Sequence, residues 1–214
     1  MTVHTEFQTI RPREQYWVDI YHLMNSIIQP RPIAWISTVS ENGIYNLAPF
    51  SYFNICSMNP PIISNSIFYN RDGSEKDTLR NIKSNGKYVV GAVGINSAEK
   101  ANVSSAPFAP DADEFKKAQV PFVDCGANEP RLVAESPVQL KCTLNQLIKL
   151  GNGAGVGTLV LGDVNEILIS RKLNHPQWQK GIPPDRMNNV GRMGADYYAK
   201  TTDLFQMPRP VIKK

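Results

Sequence analysis

Only three cysteines and three histidines occur in the 214 residues. Cys56, Cys125 and Cys142 are far apart and lack the close Cys-x-x-Cys spacing of a zinc or dithiol site, so buried free thiols are expected. His4, His22 and His175 stand neither at metal-ligand spacing nor beside a Cys or carboxylate, which argues against a metal centre or a catalytic histidine. No Gly-x-Ser-x-Gly elbow is present to activate a serine nucleophile. Nowhere do about 18 apolar residues follow one another, and the segment Met1–Glu6 has no apolar run after a basic start. A soluble, cytoplasmic protein is expected. Charge of one sign is also scarce: 23 Lys and Arg against 19 Asp and Glu leave a net +4, with the basic residues scattered, so nucleic-acid binding is disfavoured and a small anionic ligand fits better.

What remains is globular in composition. Hydrophobic residues make up 42% and charged residues 20%, which excludes global disorder. The length suits one elaborated domain, and no residue set assembles a protein-borne acid–base machine. That combination points to chemistry borrowed from a cofactor.

Along the chain, residues 1–30 read as an irregular arm with Tyr16, Trp17 and Tyr21, closed by Gln29-Pro30-Arg31-Pro32. Ile33 to Val39 is β-branched and reads as a strand, Glu41-Asn42-Gly43 as a tight hairpin turn, and Ile44 to Ala48 as the partner strand. Phe50 to Cys56 alternates aromatic and small polar side chains, so that one sheet face is apolar and the other can meet a ligand. Pro60-Pro61 redirects the chain into a strand over Ile62 to Phe68. Helical spacing of Leu79, Ile82 and Lys83 predicts a helix over 77–85, with Asp77 as cap and Gly86 as its left-handed terminator.

Tyr88 to Val93 is an apolar strand, and 98–104 and 113–118 are short helix candidates. The acidic group Asp111-Ala112-Asp113-Glu114 reads as solvated surface. Val138 to Leu150 and Thr158 to Ile169 are two long strands joined by Gly151-Asn152-Gly153-Ala154-Gly155-Val156-Gly157. That glycine run is not a dinucleotide fingerprint, because Val156 occupies the sixth place and a strand follows where a helix is required, so it reads as a hairpin loop. Many strands with short helices between them predict a β-barrel with helical decorations.

The densest chemistry lies between Arg31 and Thr78, where hydroxyl and amide groups are set into aromatic strands and Lys76 precedes a helix. Thr38, Ser40 and Ser51 are short donors, Asn54 both donates and accepts, and Phe50, Tyr52 and Phe53 offer apolar walls. Lys76, the Thr78 hydroxyl and a helix N-terminus together suit a phosphate. The pattern fits a flat polar ring carrying a phosphate.

The runs Arg31-Pro32-Ile33, Asn46-Leu47-Ala48-Pro49-Phe50-Ser51-Tyr52-Phe53-Asn54, Asn59-Pro60-Pro61 and Lys76-Asp77-Thr78-Leu79-Arg80-Asn81-Ile82 resemble the flavin reductase-like, FMN-binding split-barrel family. Later segments continue the likeness in the same order, among them Arg131-Leu132-Val133-Ala134-Glu135-Ser136-Pro137 and Gly191-Arg192-Met193-Gly194. The resemblance implies a mainly β (α+β) fold, a six-stranded Greek-key split barrel spanning residues 25–200, with an arm at 1–24 and a tail at 201–214. It implies a homodimer holding FMN near the subunit boundary.

Cofactor binding is expected from Ser37, Thr38, Ser40 and Ser51, from Tyr52, Phe53 and Asn54, from Lys76, Asp77 and Thr78 at the phosphate, and from Arg192 as a cation beside the ring. The implied activity is hydride transfer from NADH or NADPH to FMN and onward delivery of electrons to an acceptor, which can be a partner protein. No catalytic side chain is demanded. No histidine follows His175, where two-component flavin reductases commonly place one for the nicotinamide, so a flavin-binding electron carrier reduced by a separate enzyme stays open.

Overall fold

The computed structural model describes residues 6–153, 155–173 and 177–211; His4, Ala154 and His175 lie outside them. Its first regular element corrects the reading of residues 1–30 as irregular: α1 spans Trp17–Ile27. Trp17 and Tyr21 remain 41% exposed, so α1 lacks the strong apolar stripe that would betray a helix in sequence. Tertiary contacts hold it instead. A Cβ at Gly155 would lie 2.7 Å from the Trp17 ring, and Arg31 donates to the α1 carbonyls of Asn25 at 2.7 Å and of Ile28, just past its end, at 2.8 Å.

After the short β1 (Arg31–Pro32), β2 (Ala34–Val39) and β3 (Tyr45–Phe50) form the expected hairpin, turned where Gly43 adopts φ +76°. The strand expected over 50–56 is broken by a corner at Ser51-Tyr52, so β4 starts at Phe53 and runs to Met58, before β5 (Pro61–Phe68). Helix α2 (Asp77–Asn85) ends on Gly86 at φ +73°. Asp77 does not cap it: Lys76 holds the cap position, its carbonyl accepts from Leu79 and Arg80, and the Asp77 carboxylate is drawn to the Arg80 guanidinium. β6 (Lys87–Ala92), α3 (Ala98–Val103), α4 (Glu114–Lys117), β7 (Phe122–Val123) and β8 (Leu132–Val133) follow. The long hairpin β9 (Val138–Lys149) and β10 (Gly157–Ile169) is joined through the glycine run, as expected. α5 (Pro184–Met187), β11 (Val190–Arg192) and β12 (Tyr198–Lys200) complete the described elements.

The main sheet is antiparallel with the order β3-β2-β6-β9-β10-β5-β4, seven strands where six were expected. The extra strand arises because the Ser51-Tyr52 corner places β3 and β4 at opposite ends of the sheet order. Strand alternation sends Ile33 and Trp35 to one side and Ala34 and Ile36 to the other. Ala34 and Ile36 share a core with Ile63, Ile67, Tyr88, Val90, Cys142 and Val160, so five strands converge on one interior and the sheet curls around it. Leu79 and Ile82 of α2 close that interior. On the outer side, Trp35 and Leu47 pack with Phe115, Val133 and Val190.

Two expectations about side-chain burial are corrected. Cys142 is buried, but Cys56 is exposed on the edge strand β4 and Cys125 is half-buried. The acidic cluster is not solvated throughout: Asp113 caps α4 and pairs with Arg131 at 2.9 Å, and Glu114 is 6% exposed. Arg131 is itself sandwiched 3.5 Å from the Tyr45 ring centre and 3.7 Å from that of Phe122, which explains why the cluster folds inward.

Candidate cofactor site

Two groups of polar residues flank the β2–β3 hairpin ladder. At its first end, Thr38 pairs across the ladder with Asn46. The Asn46 amide donates to the Thr38 hydroxyl at 3.2 Å and to the Thr78 hydroxyl at 2.9 Å, while Asn81 donates to Thr38 at 3.0 Å. All four side chains are buried. Both hydroxyls act as acceptors here, which leaves their own protons to donate. The network ties the first turn of α2 to the sheet. No side chain caps α2, so its opening N–H groups face outward with a positive helix end behind them. Half-buried Lys76 stands at that end, and its ammonium donates only to the neutral Asn70 side chain at 3.2 Å. Among the described residues Lys76 has no carboxylate partner.

At the other end lies the Ser51-Tyr52 corner. Buried Arg31 donates through Nε to Ser51 at 3.3 Å and through its terminal nitrogens to the carbonyls of Asn25, Ile28 and Met193. Burial is the main influence lowering the Arg31 pKa, yet a guanidinium stays charged in proteins. The Tyr52 hydroxyl donates to Asn25 at 3.0 Å, and its ring packs 4.9 Å from that of Phe68. Burial raises the Tyr52 pKa, which keeps the phenol protonated and the bond in place. Arg192 of β11 is directly across from Arg31 in the ladder, over the Tyr198 ring at 4.6 Å and donating to the Tyr197 carbonyl. Two arginines facing each other concentrate positive charge beside the corner, an arrangement that an anionic neighbour would relieve.

The expected site residues therefore fall into two clusters: Thr38, Lys76, Asp77 and Thr78 at α2, and Ser51, Tyr52, Phe53 and Arg192 near the corner. Three stand apart from both. Ser37 points to the opposite face of β2, fully buried, with its hydroxyl unpartnered among the described residues. Ser40 is spent on the hairpin, where its hydroxyl accepts from Ile44 N at 3.0 Å. Asn54 is exposed on β4, its side-chain oxygen accepting from Ile55 N. Sequence reasoning missed Asn25, Asn46, Asn81 and the role of Arg31. Their partners are 3 to 162 positions away in sequence, and the distant ones leave no local pattern. Asn65 of β5 was also missed: it is 2% exposed in an otherwise apolar interior row, and among the described residues neither end of its amide has a partner. An asparagine between Ile63 and Ile67 in a strand was the available signal.

A family profile described as "Flavin reductase like domain" matches residues 24–181, and the chain belongs to that family. The protein YwrF of Bacillus subtilis is 33% identical over 196 residues, covering 90% of this chain and 94% of YwrF. Nitrilotriacetate monooxygenase component B from Bacillus cereus superposes with a TM-score of 0.86 at 29% identity, over 94% of this chain and 98% of that one. A flavin reductase with split barrel domain from Shewanella frigidimarina, 20% identical, shares the fold with a TM-score of 0.79 over 98% of this chain and all of its own (100%). The mixed α+β fold with a large antiparallel sheet is thus that of flavin reductase-like split barrels. No helix among the described residues is long and apolar enough to cross a membrane.

The donor set suits a flavin nucleotide. An uncapped helix N-terminus beside a lysine that has no carboxylate partner among the described residues suits a phosphate. At the other end, the Ser51 hydroxyl and the cationic Arg192, facing Arg31, supply donors toward a polar ring edge. Thr38 and Ala34, the ladder positions nearest the two clusters, are four residues apart, about 13 Å along a strand. An elongated ligand with an anionic end and a flat end matches that span.

Proposed function

We propose that the protein is an FMN-dependent oxidoreductase that takes hydride from NADH or NADPH and passes electrons to an acceptor, acting as a cytoplasmic homodimer whose functional domain is residues 25–200. The observation that carries this reading is the uncapped N-terminus of α2 with Lys76 beside it, fixed to the sheet through Thr78, Asn46 and Thr38. Lys76 and the first N–H groups of α2 would hold the phosphate, with Thr38 and Thr78 donating their free protons. Ser51 and Asn54 would meet the polar edge of the ring, and Tyr52 and Phe53 its apolar side.

When bound, FMN supplies a two-electron centre that accepts hydride. The residues of this chain bind and orient it; none has to move a proton. Arg192, supported by Arg31, would favour the anionic reduced form by placing positive charge beside the ring. Arg31 acts through Ser51 and the α1 carbonyls and is a positioning residue. The edge strand β4 exposes Ile55 (64%) and Met58 (75%), an apolar border suited to a second subunit.

A second reading, an FMN-binding electron carrier without its own nicotinamide site, is favoured by the lack of any histidine after His175. Anaerobic titration of the FMN-reconstituted protein with NADH and then NADPH separates them. Bleaching of the flavin absorption at catalytic rates supports the reductase. A bound flavin that stays oxidised refutes the reductase and leaves the carrier.

A further inference from the structure

We propose that Asn70 is a positioning residue for Lys76: through a neutral hydrogen bond it holds the ammonium at the start of α2 and leaves the charge whole for a phosphate. The inference rests on the flavin reading and adds to it the group that sets the phosphate end. Asn70 follows β5 and opens a tight turn. Gly73 N donates to the Asn70 carbonyl at 2.9 Å, Asn70 N donates to the Ser74 carbonyl at 2.8 Å, and Gly73 takes φ +83°. Next to the turn, Tyr69 N donates to the Val156 carbonyl at 3.2 Å, which anchors it to the β9–β10 hairpin.

A chain of side-chain hydrogen bonds runs through this turn in one direction. The Lys76 ammonium donates to Asn70 Oδ1 at 3.2 Å, Asn70 Nδ2 donates to Ser74 Oγ at 3.0 Å, and the Ser74 hydroxyl donates to Asp72 Oδ1 at 2.6 Å. Asp72 also accepts from Ser74 N at 2.9 Å, and the bonds from Ser74 hold its carboxyl below the ordinary carboxylate range, so the chain ends on a negative charge. That end dictates the rest. With its one proton committed to Asp72, the Ser74 hydroxyl can only accept from the Asn70 amide nitrogen, which leaves the Asn70 oxygen facing Lys76. Of the three ammonium donors of Lys76, one then meets a neutral acceptor and the others remain for a ligand.

The carboxylates nearest Lys76 in the chain are engaged elsewhere: Asp72 is held by Ser74, Glu75 pairs with Lys83, and Asp77 pairs with Arg80. A carboxylate on Lys76 would have to be displaced before a phosphate could take its place, whereas a neutral amide orients the ammonium without cancelling its charge. Asn70 and Ser74 are exposed, so water competes for each bond and the effect is several-fold, not thousands.

Fluorescence titration of the full-length protein with FMN, and separately with riboflavin, tests the assignment. Asn70→Ala is expected to weaken FMN about threefold to tenfold, the worth of one hydrogen bond, and riboflavin less than about twofold. Asn70→Asp is expected to weaken FMN at least as much as Asn70→Ala, because the new carboxylate still accepts from Lys76 but cancels its charge. A residue that only shaped the turn would tolerate aspartate, which suits turns as well as asparagine does. In a Lys76→Ala background, Asn70→Ala is expected to change FMN affinity less than about twofold, since the group it positions is gone. Four results would overturn the proposal: wild-type FMN affinity in Asn70→Ala, equal losses for FMN and riboflavin, wild-type FMN affinity in Asn70→Asp, or an undiminished effect of Asn70→Ala in the Lys76→Ala background. In each of these the flavin reading stands as long as Lys76→Ala alone weakens FMN. A Lys76→Ala variant that binds FMN as tightly as the wild type would sink the phosphate assignment, and this inference with it.

Discussion

Glu114 offers a direct test of the packing between α4 and the free edge of β3. Its carboxylate accepts from Leu47 N at 3.2 Å and is 6% exposed. Burial pushes its pKa up from 4.5 to about 7; the backbone N–H groups of Glu114 and Leu47 oppose the shift and Asp113 adds to it. Between those two values the folded protein holds a proton that the unfolded chain has released. The stabilisation by this proton is full below about pH 4.5 and is lost as pH rises through about 7. A shift of about 2.5 pH units, 7 minus 4.5, is worth at most about 3 kcal/mol. Solvent near the short surface helix α4 screens the charge, and about 1–2 kcal/mol is a better expectation.

Glu114→Gln keeps an oxygen for Leu47 N and removes the titration. Urea unfolding followed by tryptophan fluorescence, with Trp35 fully buried as the reporter, should show variant and wild type equally stable at pH 4.5. The variant should exceed the wild type by about 1–2 kcal/mol at pH 8, where the wild type buries a carboxylate charge. A difference that stays constant from pH 4.5 to 8, or a variant less stable than the wild type at pH 8, would refute the buried-carboxyl account.

Lys76→Ala should weaken FMN about tenfold to a hundredfold in a fluorescence titration, the worth of one charge-assisted bond, while riboflavin, which lacks the phosphate, should change less than twofold. Equal losses for both ligands would place Lys76 elsewhere than at the phosphate. Gly162→Ala should destabilise by about 1–3 kcal/mol, because a Cβ there would lie 1.7 Å from the Tyr88 hydroxyl. Among the described residues that hydroxyl is buried without a partner, so Tyr88→Phe alone should be neutral or stabilising, and the double variant should recover only part of the loss in thermal melts, since the new Cβ would still lie 2.7 Å from the ring carbon that carried the hydroxyl. Additive effects of the two substitutions would show that they do not meet.

The strands around Gly43, the helix ended by Gly86 and the β9–β10 hairpin were legible because each rests on local chemistry: alternation, a residue free to take positive φ, a period near 3.6. Helix α1 was not legible, since its stability comes from Trp17 against Gly155 and from Arg31 at its C-terminal carbonyls. The same limit applied to Cys56, whose exposure follows from β4 lying at the sheet edge, and to Glu114, drawn inward by its bond to Leu47 N.

Residue order alone determined the family, the strand content and the helix start at Lys76-Asp77-Thr78, because motif spacing and backbone propensity are properties of neighbours in the chain. Only the tertiary structure decided that Thr38, Asn46, Thr78 and Asn81 share one hydrogen-bond network and that Arg31 faces Arg192. Those relations depend on which strands pair and how the sheet curls, and burial then fixes which polar groups must find one another.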